Sequence, residues 1–441
     1  MNVLVVGSGG REHAMAWRLK QCRSVKGVFC SPGNPGMAAD EIVTRPTETQ
    51  HGFALFSELA SLTQAEKIEM IVPGPEKPLV DGIVDFFAHL APGIKVCGPT
   101  LAAALNTEGS KILFKTLLKE YSQHHYLPTA EFQVVASFAE AEKILKNWWW
   151  DDAPLVIKAE GLCAGKGVFL PKTLPDALAT AHWILKEHRL GAGGRAIVIE
   201  ERLYGRECSY MALTDGQNIY ELPLTRDHKR LFDGDFGPNT GGMGAYSDVP
   251  DVSAGERRIM RLAAQGVVRA LAHKGMPYRG FLYLGFILTR EGPKILEANC
   301  RAGDPEWQTI AMRLEGDLAQ ALYACCGSQG FSGIGLTAPR AAACVVLASE
   351  GYGETDKPVV GRYIENLRIA ETYPNSKVFH AGTGMAMGSF YSTGGRVLGV
   401  TCRGDDPLTA CEHAYELIRL TNLNFEGMQY RRDIRPVVVT A

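Results

Sequence analysis

No run of this sequence is apolar for long enough to cross a bilayer; the longest, such as Ala341 to Ala348, falls well short of the roughly 20 residues that a spanning helix needs. An excess of one charge is also missing, since 46 Lys plus Arg stand against 48 Asp plus Glu, for a formal charge of -2. Without a basic face, neither a nucleic-acid partner nor an anionic membrane surface is expected. The eleven cysteines include no CxxC pair, so neither a disulfide framework nor a structural zinc site is expected. Nor does the N-terminus read as a leader: Met1-Asn2 run straight into VLVV before Gly7, with no basic region and no apolar h-region, and the expected compartment is the reducing cytoplasm. What is present is a globular composition, 46% hydrophobic and 21% charged over 441 residues. At about 100 to 200 residues per domain, that length suggests two to four domains with ample core.

Residues 1–103 alternate strand-like and helix-like stretches, which predicts an α/β domain with a doubly wound parallel sheet. The clusters GSGGRE, SPGNPG, PGPEKP and GPT fall at the strand ends where ligands bind in such sheets. Residues 104–330 read as a second unit of two α+β lobes, the smaller at about 126–195, and 335–441 as a small β-rich C-terminal unit. Within the second unit, Asp233 to Ser247 is expected to be a long glycine-rich loop, of a length that is usually functional or disordered.

Several motifs carry chemistry. GSGGREH follows a buried strand and opens a helix, so amides at the helix N-terminus together with Arg11 could cradle a phosphate. A dinucleotide reading is weaker, because Glu12 stands where GxGxxG needs glycine. In IKAEGLCAGKGV, Lys158 sits on a strand within reach of phosphate oxygens, and Gly161, Gly165 and Gly167 allow a turn to close over them; GxxxxGK[ST] is absent around Lys166. Glu297 and Asn299 alternate on one face of a strand, a pair of oxygen ligands suited to Mg²⁺, which keeps other positions for waters and nucleotide. Arg301 continues the alternation with a fork able to grip a carboxylate or a transferring phosphoryl group. Asp227, His228, Lys229 and Arg230 mix both signs, as an amino acid and a phosphate require. Blander readings are preferred for Trp148, Trp149 and Trp150 (helix-end packing beside Asp151 and Asp152), for Cys163 (a small residue in the loop) and for His124-His125 (solvent).

Taken in order along the chain, GSGGREHAMAW, SPGNPG, VPGPEKPLVDGI, EGSK, VIKAEGLCAGKGV, DHKR, DGDFGPNTGGMGAYS and EANCRAGDPE resemble the glycinamide ribonucleotide synthetase (phosphoribosylamine-glycine ligase) family, a purine-pathway branch of the ATP-grasp superfamily. The resemblance implies a pre-ATP-grasp domain, an ATP-grasp core whose lobes clamp ATP, and a C-terminal β-rich domain. It implies ATP, Mg²⁺ or Mn²⁺, glycine and 5-phosphoribosylamine as ligands of a cytoplasmic, monomeric enzyme. By analogy, Lys111 and Lys158 hold ATP phosphates under a lid containing Gly165, Lys166 and Gly167. Glu200 and Leu203 meet the adenine edge, and Glu207 the ribose. Glu297 and Asn299 match metal ligands, Arg301 and Asp227 are candidates for the glycine end, and Gly10, Arg11, Asn34, Glu76 and Lys229 for substrate binding.

The pattern departs from the family at Arg202, Arg226, Ala302 and Trp307. The last two suggest mutual compensation, with the indole filling space that Ala302 leaves. Two alternatives stand beside the main reading: an ATP-grasp ligase that activates another small carboxylate or uses another phosphorylated amine, and a catalytically silent nucleotide-binding scaffold.

Overall fold

The computed structural model of the protein describes residues 1–148, 154–161, 167–327, 330–355 and 357–436. Gly165, Lys166, Cys163, Trp149, Trp150, Asp151 and Asp152 lie outside the described residues.

The first unit is built from β1 (Asn2–Gly7), α1 (Gly10–Lys20), β2 (Gly27–Pro32), α2 (Pro35–Ala39), β3 (Val43–Thr44), α3 (Gly52–Ala65), β4 (Met70–Pro73), α4 (Glu76–Val80), α5 (Ile83–Leu90) and β5 (Lys95–Val96). Its sheet is parallel, in the order β3-β2-β1-β4-β5. Val3 to Val6 are buried on both faces, as strands of a parallel sheet covered by helices must be. The strand order reverses between β1 and β4, so the crevice beyond their C-terminal ends receives both Gly7–Arg11 and Pro73–Glu76.

Two antiparallel sheets follow. The smaller lobe orders Phe132–Val135, Ile197–Glu201, Leu155–Ala159 and Val168–Phe169 side by side, backed by helices Phe138–Lys146 and Leu174–Leu185. Its core is separate from the rest of the molecule and includes Val135, Leu145, Ile157, Ile184 and Ile199. The larger lobe orders Ile219–Glu221, Arg206–Asp215, Arg279–Thr289 and Gly292–Asn299, packed on the long helix Ala254–His273, whose Ser253 and Glu256 form a reciprocal N-terminal cap.

The expected long loop is corrected by the structure. Residues 226–247 are largely paired: Arg230–Phe232 and Phe236–Asn239 form a ribbon, and Arg226–Asp227 and Gly244–Ser247 extend the C-terminal sheet, whose order continues through Ala341–Ala348, Arg396–Gly404 and Ser376–His380. Gly234 and Gly237, at φ 72 and 83, supply the left-handed backbone that turns the ribbon. The partner strand lies about a hundred residues downstream, so local reading meets only the glycines. Helix Pro407–Thr421 covers this sheet.

The C-terminal unit is also tied to the first. The His380 N–H donates to His13 Nδ1 (2.9 Å), His13 Nε2 meets Asp40 Oδ2 (2.9 Å), and Lys377 Nζ donates to Asp40 Oδ1 (2.6 Å). Burial lowers the His13 pKa to about 4, so the ring is neutral at pH 7, accepting on one side and donating on the other. Among the described residues no helix is long and apolar enough to cross a membrane.

Candidate active site

One wall of the interlobe cleft is rich in cations. Lys158, on the strand Leu155–Ala159, and Lys115, on the helix Lys111–Tyr121, both pair with the buried Glu200 carboxylate, Lys115 at 2.6 Å. Lys115 also donates to Thr129 Oγ1 (2.7 Å) and lies 5.4 Å from the centre of the Phe132 ring. Burial lowers the Lys115 pKa to about 8, against the pull of Glu200. Burial opposes ionisation of Glu200 too, but the two lysines outweigh it and its pKa is lowered. Lys111 Nζ donates to Gly161 O (3.1 Å), at the first glycine of the sequence EGLCAGKG.

Lys158 reaches across the cleft as well. Its Nζ donates to Leu296 O (3.1 Å), at the one place where strand Gly292–Asn299 carries an unmatched residue: Glu297 pairs with Gly285 while Ile295 pairs with Phe286. A bulge releases a carbonyl from the ladder, and here a lysine of the opposite lobe takes it.

The other wall is rich in acids. Lys229 stands 3.4 Å from Glu207 Oε2, 3.4 Å from Glu297 Oε1 and 4.0 Å from Asp227 Oδ2. Desolvation in the cleft acts to lower the Lys229 pKa, but Asp227, Glu297 and Glu207 raise it well above its ordinary value. Asp227 is pushed up to about 7 by burial, which Lys229 opposes and Glu306, Glu207 and Glu297 reinforce. Glu297 behaves oppositely: Lys229 foremost, then Lys158, Lys111 and Arg301, hold it down at about 2 despite desolvation. Glu306 accepts from Tyr283 Oη (3.0 Å), which also lies 3.0 Å from Ser209 Oγ.

Asn299 and Arg301 complete this wall. Arg301 Nη2 donates to Asn299 Oδ1 (3.3 Å), Nε to Glu76 Oε2 (3.3 Å) and Nη1 to Ala302 O (3.2 Å), while Glu108 Oε1 lies 2.9 Å from Nη2. Burial opposes its charge, but Glu108 and Glu76 more than restore it. A divalent ion suits the Glu297 and Asn299 pair, since one is an ionised carboxylate, the other a neutral oxygen, and both stand on alternate positions of one strand face.

The parallel domain contributes Glu76 and the α1 N-terminus. That terminus is partly filled by its own chain: Glu12 Oε2 accepts the Gly9 N–H (2.7 Å), and Arg11 Nε donates to Glu12 Oε1 (2.6 Å). A Cβ on Gly74 would stand 2.2 Å from Glu12 Oε1, so the backbone must come close without a side chain. Gly10 lies against Gln308. Asn34 is committed to the protein: its Nδ2 donates to Ser8 O and His380 O, and its Oδ1 caps Met37 N–H.

The structure therefore brings together Lys111, Lys158 and Glu200 on one side, and Glu207, Asp227, Lys229, Glu297, Asn299, Arg301 and Glu76 on the other. Leu203 is half-buried in the turn between the lobes, and Gly167 stands just before strand Val168–Phe169. Sequence pattern alone does not show Lys115 as a partner of Glu200, nor does it single out Glu108 and Glu306. For Glu108 the only signal is its place in EGSK. Arg226 has a structural part: it donates to Glu207 O (2.7 Å), Tyr246 Oη (3.0 Å) and Asp251 Oδ2 (2.9 Å), steadying the strand that carries Glu207. Trp307 is fully buried in the core that also holds Ala302, edge-on to Phe281 at 5.1 Å. Arg202 lies 5.3 Å from the centre of the Tyr204 ring.

Known proteins resemble the chain over most of its length. Residues 1–105 match the family model of the phosphoribosylglycinamide synthetase N domain, 109–307 its ATP-grasp (A) domain and 342–435 its C domain. A phosphoribosylamine-glycine ligase of Escherichia coli is 41% identical over 437 residues, covering 98% of each chain. One from Rhodopirellula baltica is 40% identical over 441 residues, covering 98% of this chain and 97% of its own. Among solved structures, the phosphoribosylamine-glycine ligase of Thermotoga maritima superposes with a TM-score of 0.80 at 32% identity, over 98% of this chain and all of the other. Biotin carboxylase of Campylobacter jejuni shares the fold at 14% identity, with a TM-score of 0.71 over 97% of this chain and 92% of its own.

Proposed function

The chain belongs to the phosphoribosylglycinamide synthetase family, and from that membership we propose that its cleft joins glycine to 5-phosphoribosylamine, converting ATP to ADP and phosphate and giving glycinamide ribonucleotide for purine biosynthesis. The protein is an ATP-dependent carbon-nitrogen ligase. The observation that carries the residue-level reading is the opposition of two walls, one with surplus lysine charge and one with surplus carboxylates, bridged by Lys158 at the bulge beside Glu297.

A carboxylate is a poor acylating agent at neutral pH, so the glycine carboxylate must first become glycyl phosphate by attack on the γ-phosphate. The ribosylamine nitrogen then forms the amide as phosphate leaves. Lys111 and Lys158 are assigned to the ATP phosphates, as are Gly165, Lys166 and Gly167 from the motif they share with the family, with Glu200 and Leu203 near the adenine and Glu207 near the ribose. Glu297 and Asn299 would hold a divalent cation, Mg²⁺ or Mn²⁺. When bound, it supplies charge neutralisation between phosphate and approaching carboxylate. Arg301 adds a planar cation beside that pair. Asp227 and Lys229 present opposite charges that suit a zwitterionic amino acid. Gly10, Arg11, Asn34 and Glu76 are assigned to the ribosylamine side, with Asn34 acting through the backbone it organises.

The near-neutral charge accords with small-molecule substrates in the cytoplasm, without a nucleic-acid or membrane partner. The test is ADP release by the complete mixture and with each substrate omitted in turn. Dependence on glycine and on phosphoribosylamine is expected, and ADP formation indifferent to glycine would refute the assignment.

A further inference from the structure

Glu108 takes no part in the roles above, yet it is tied to the strand that carries them. It lies in a single π-helical turn, Leu105–Gly109, between helix Leu101–Ala104 and Ser110, which caps helix Lys111–Tyr121. Such turns are uncommon, and they frequently occur at functional sites. Its side chain is only 6% exposed. One carboxylate oxygen, Oε2, accepts the Cys300 backbone N–H at 2.8 Å and the Cys300 thiol at 3.2 Å; the other, Oε1, stands 2.9 Å from Arg301 Nη2. Both oxygens are thus spent on the two residues that follow Asn299.

A guanidinium carries five N–H donors in a fixed plane. In Arg301, Nε is bonded to Glu76, Nη1 to Ala302 O and Nη2 to Asn299 Oδ1, with Glu108 as the nearest counter-ion to Nη2. Glu76 comes from the parallel domain and is half-buried, whereas Glu108 is buried and anchored by the Cys300 backbone. Of the two counter-ions, Glu108 is therefore the stiffer. We propose that Glu108 is a positioning residue of the ligase reaction, fixing the plane and reach of the Arg301 guanidinium relative to Asn299. The proposal rests on the assignment of Arg301 to the transferring groups.

The chemistry requires a carboxylate here. Donors approach from both sides, Cys300 N–H on one oxygen and Arg301 on the other. An amide of the same shape has one oxygen and must turn its NH₂ toward one of those donors. In Glu108→Gln the oxygen is expected to remain on the backbone N–H, leaving the NH₂ against the guanidinium. The fork is then displaced while the chain stays in place.

The experiment measures kcat, ATP KM and thermal melting for the wild type, Glu108→Gln, Arg301→Lys and the double variant. Glu108→Gln is expected to lower kcat by about tenfold or more, leave ATP KM within about twofold and melt near the wild type. Because the effect passes through Arg301, the double variant should be no slower than Arg301→Lys alone. Unchanged kcat, or losses that multiply in the double variant, would overturn the proposal. If Glu108→Gln does not fold, Glu108→Asp replaces it: the charge stays, but a side chain shorter by one methylene cannot meet Cys300 and Arg301 together, so the same kcat loss is expected and wild-type kcat would overturn the idea. A wild type whose ADP release ignores glycine refutes the functional assignment instead; a glycine-dependent wild type with an unaffected Glu108→Gln refutes only the role of Glu108.

Discussion

On the small-lobe wall two lysines share one buried carboxylate, Lys115 and Lys158 on Glu200, whereas on the large-lobe wall Glu207, Asp227 and Glu297 share Lys229, with Glu306 raising the acidity problem at Asp227. The first arrangement is nearly closed, and its single carboxylate leaves one of the two lysine charges over. The second is short of cations and partly open, Glu297 being 37% exposed. The two walls are thus held by different means. Ion pairing holds the first together and leaves a surplus cation that suits phosphates, while the second keeps surplus carboxylates that suit a metal or a cationic group.

The largest effect is expected for Glu200→Ala. Removing the shared anion leaves two buried ammonium groups uncompensated, which is expected to cost about 3 to 5 kcal/mol of stability, the usual penalty for orphaning a buried charge. Unfolding free energy by denaturant titration checks this; a loss within the range of a surface substitution would mean that the lysines do not depend on Glu200.

Glu297→Gln should cost less stability and far more function. Lys229 foremost holds this carboxylate ionised, so removing the charge is expected to lower the melting temperature, by a small amount because the side chain is 37% exposed. Turnover should fall by about a hundredfold or more, equivalent to about 2.7 kcal/mol of transition-state stabilisation. Turnover against Mg²⁺ concentration distinguishes the cause, since an unaltered metal requirement would remove Glu297 from the metal site.

A smaller effect is expected for Arg301→Lys. The point charge is retained but the planar fork is lost, so kcat should fall roughly tenfold, about 1.4 kcal/mol. Near-normal turnover would assign Arg301 to structure alone.

The smallest effect is on pH dependence. Asp227 titrates at about 7 in the folded state against an ordinary 3.8. Its carboxylate is therefore gained as pH rises through 7, and divalent-ion affinity should strengthen by a few-fold over that interval. Stability moves the other way: the folded state holds a proton that the unfolded state has released, so this contribution is complete below about 3.8 and is lost as pH rises to 7. Asp227→Asn should flatten both curves, which metal titrations and chemical denaturation at pH 5 and 8 will test.

Much of this cleft was legible because its chemistry is local. Lys158 sits in IKAEG, and Glu297 and Asn299 keep the alternation of a strand, so residue type and period suffice to place them together; Arg301 lies two residues past the strand end. The parallel domain was legible for the same reason, each apolar run ending in glycine or proline at the binding edge. What stayed hidden depends on distance along the chain. Glu108 and Cys300 are 192 residues apart, and a lone glutamate in EGSK gives no hint of its partner. The bulge at Leu296 exists only as a mismatch between two strands, and neither strand encodes it alone. The glycine-rich stretch looked like a loop because its pairing strand, Ala341–Ala348, lies beyond the whole second half of the cleft.

That last pairing bears on how this chain could be cut or recombined. A polypeptide ended before Ala341 would retain every cleft residue named here, yet Gly244–Ser247 would lose its neighbour and Asp227, paired through Ala245, would sit on a two-strand remnant with an unprotected edge. Exchanging the C-terminal segment for that of a relative would likewise rebuild one flank of the Asp227 strand. The portion of the gene that looks most dispensable thus supplies the backing of a cleft residue, and the unit that can be inherited or transplanted here is larger than the stretch that carries the chemistry.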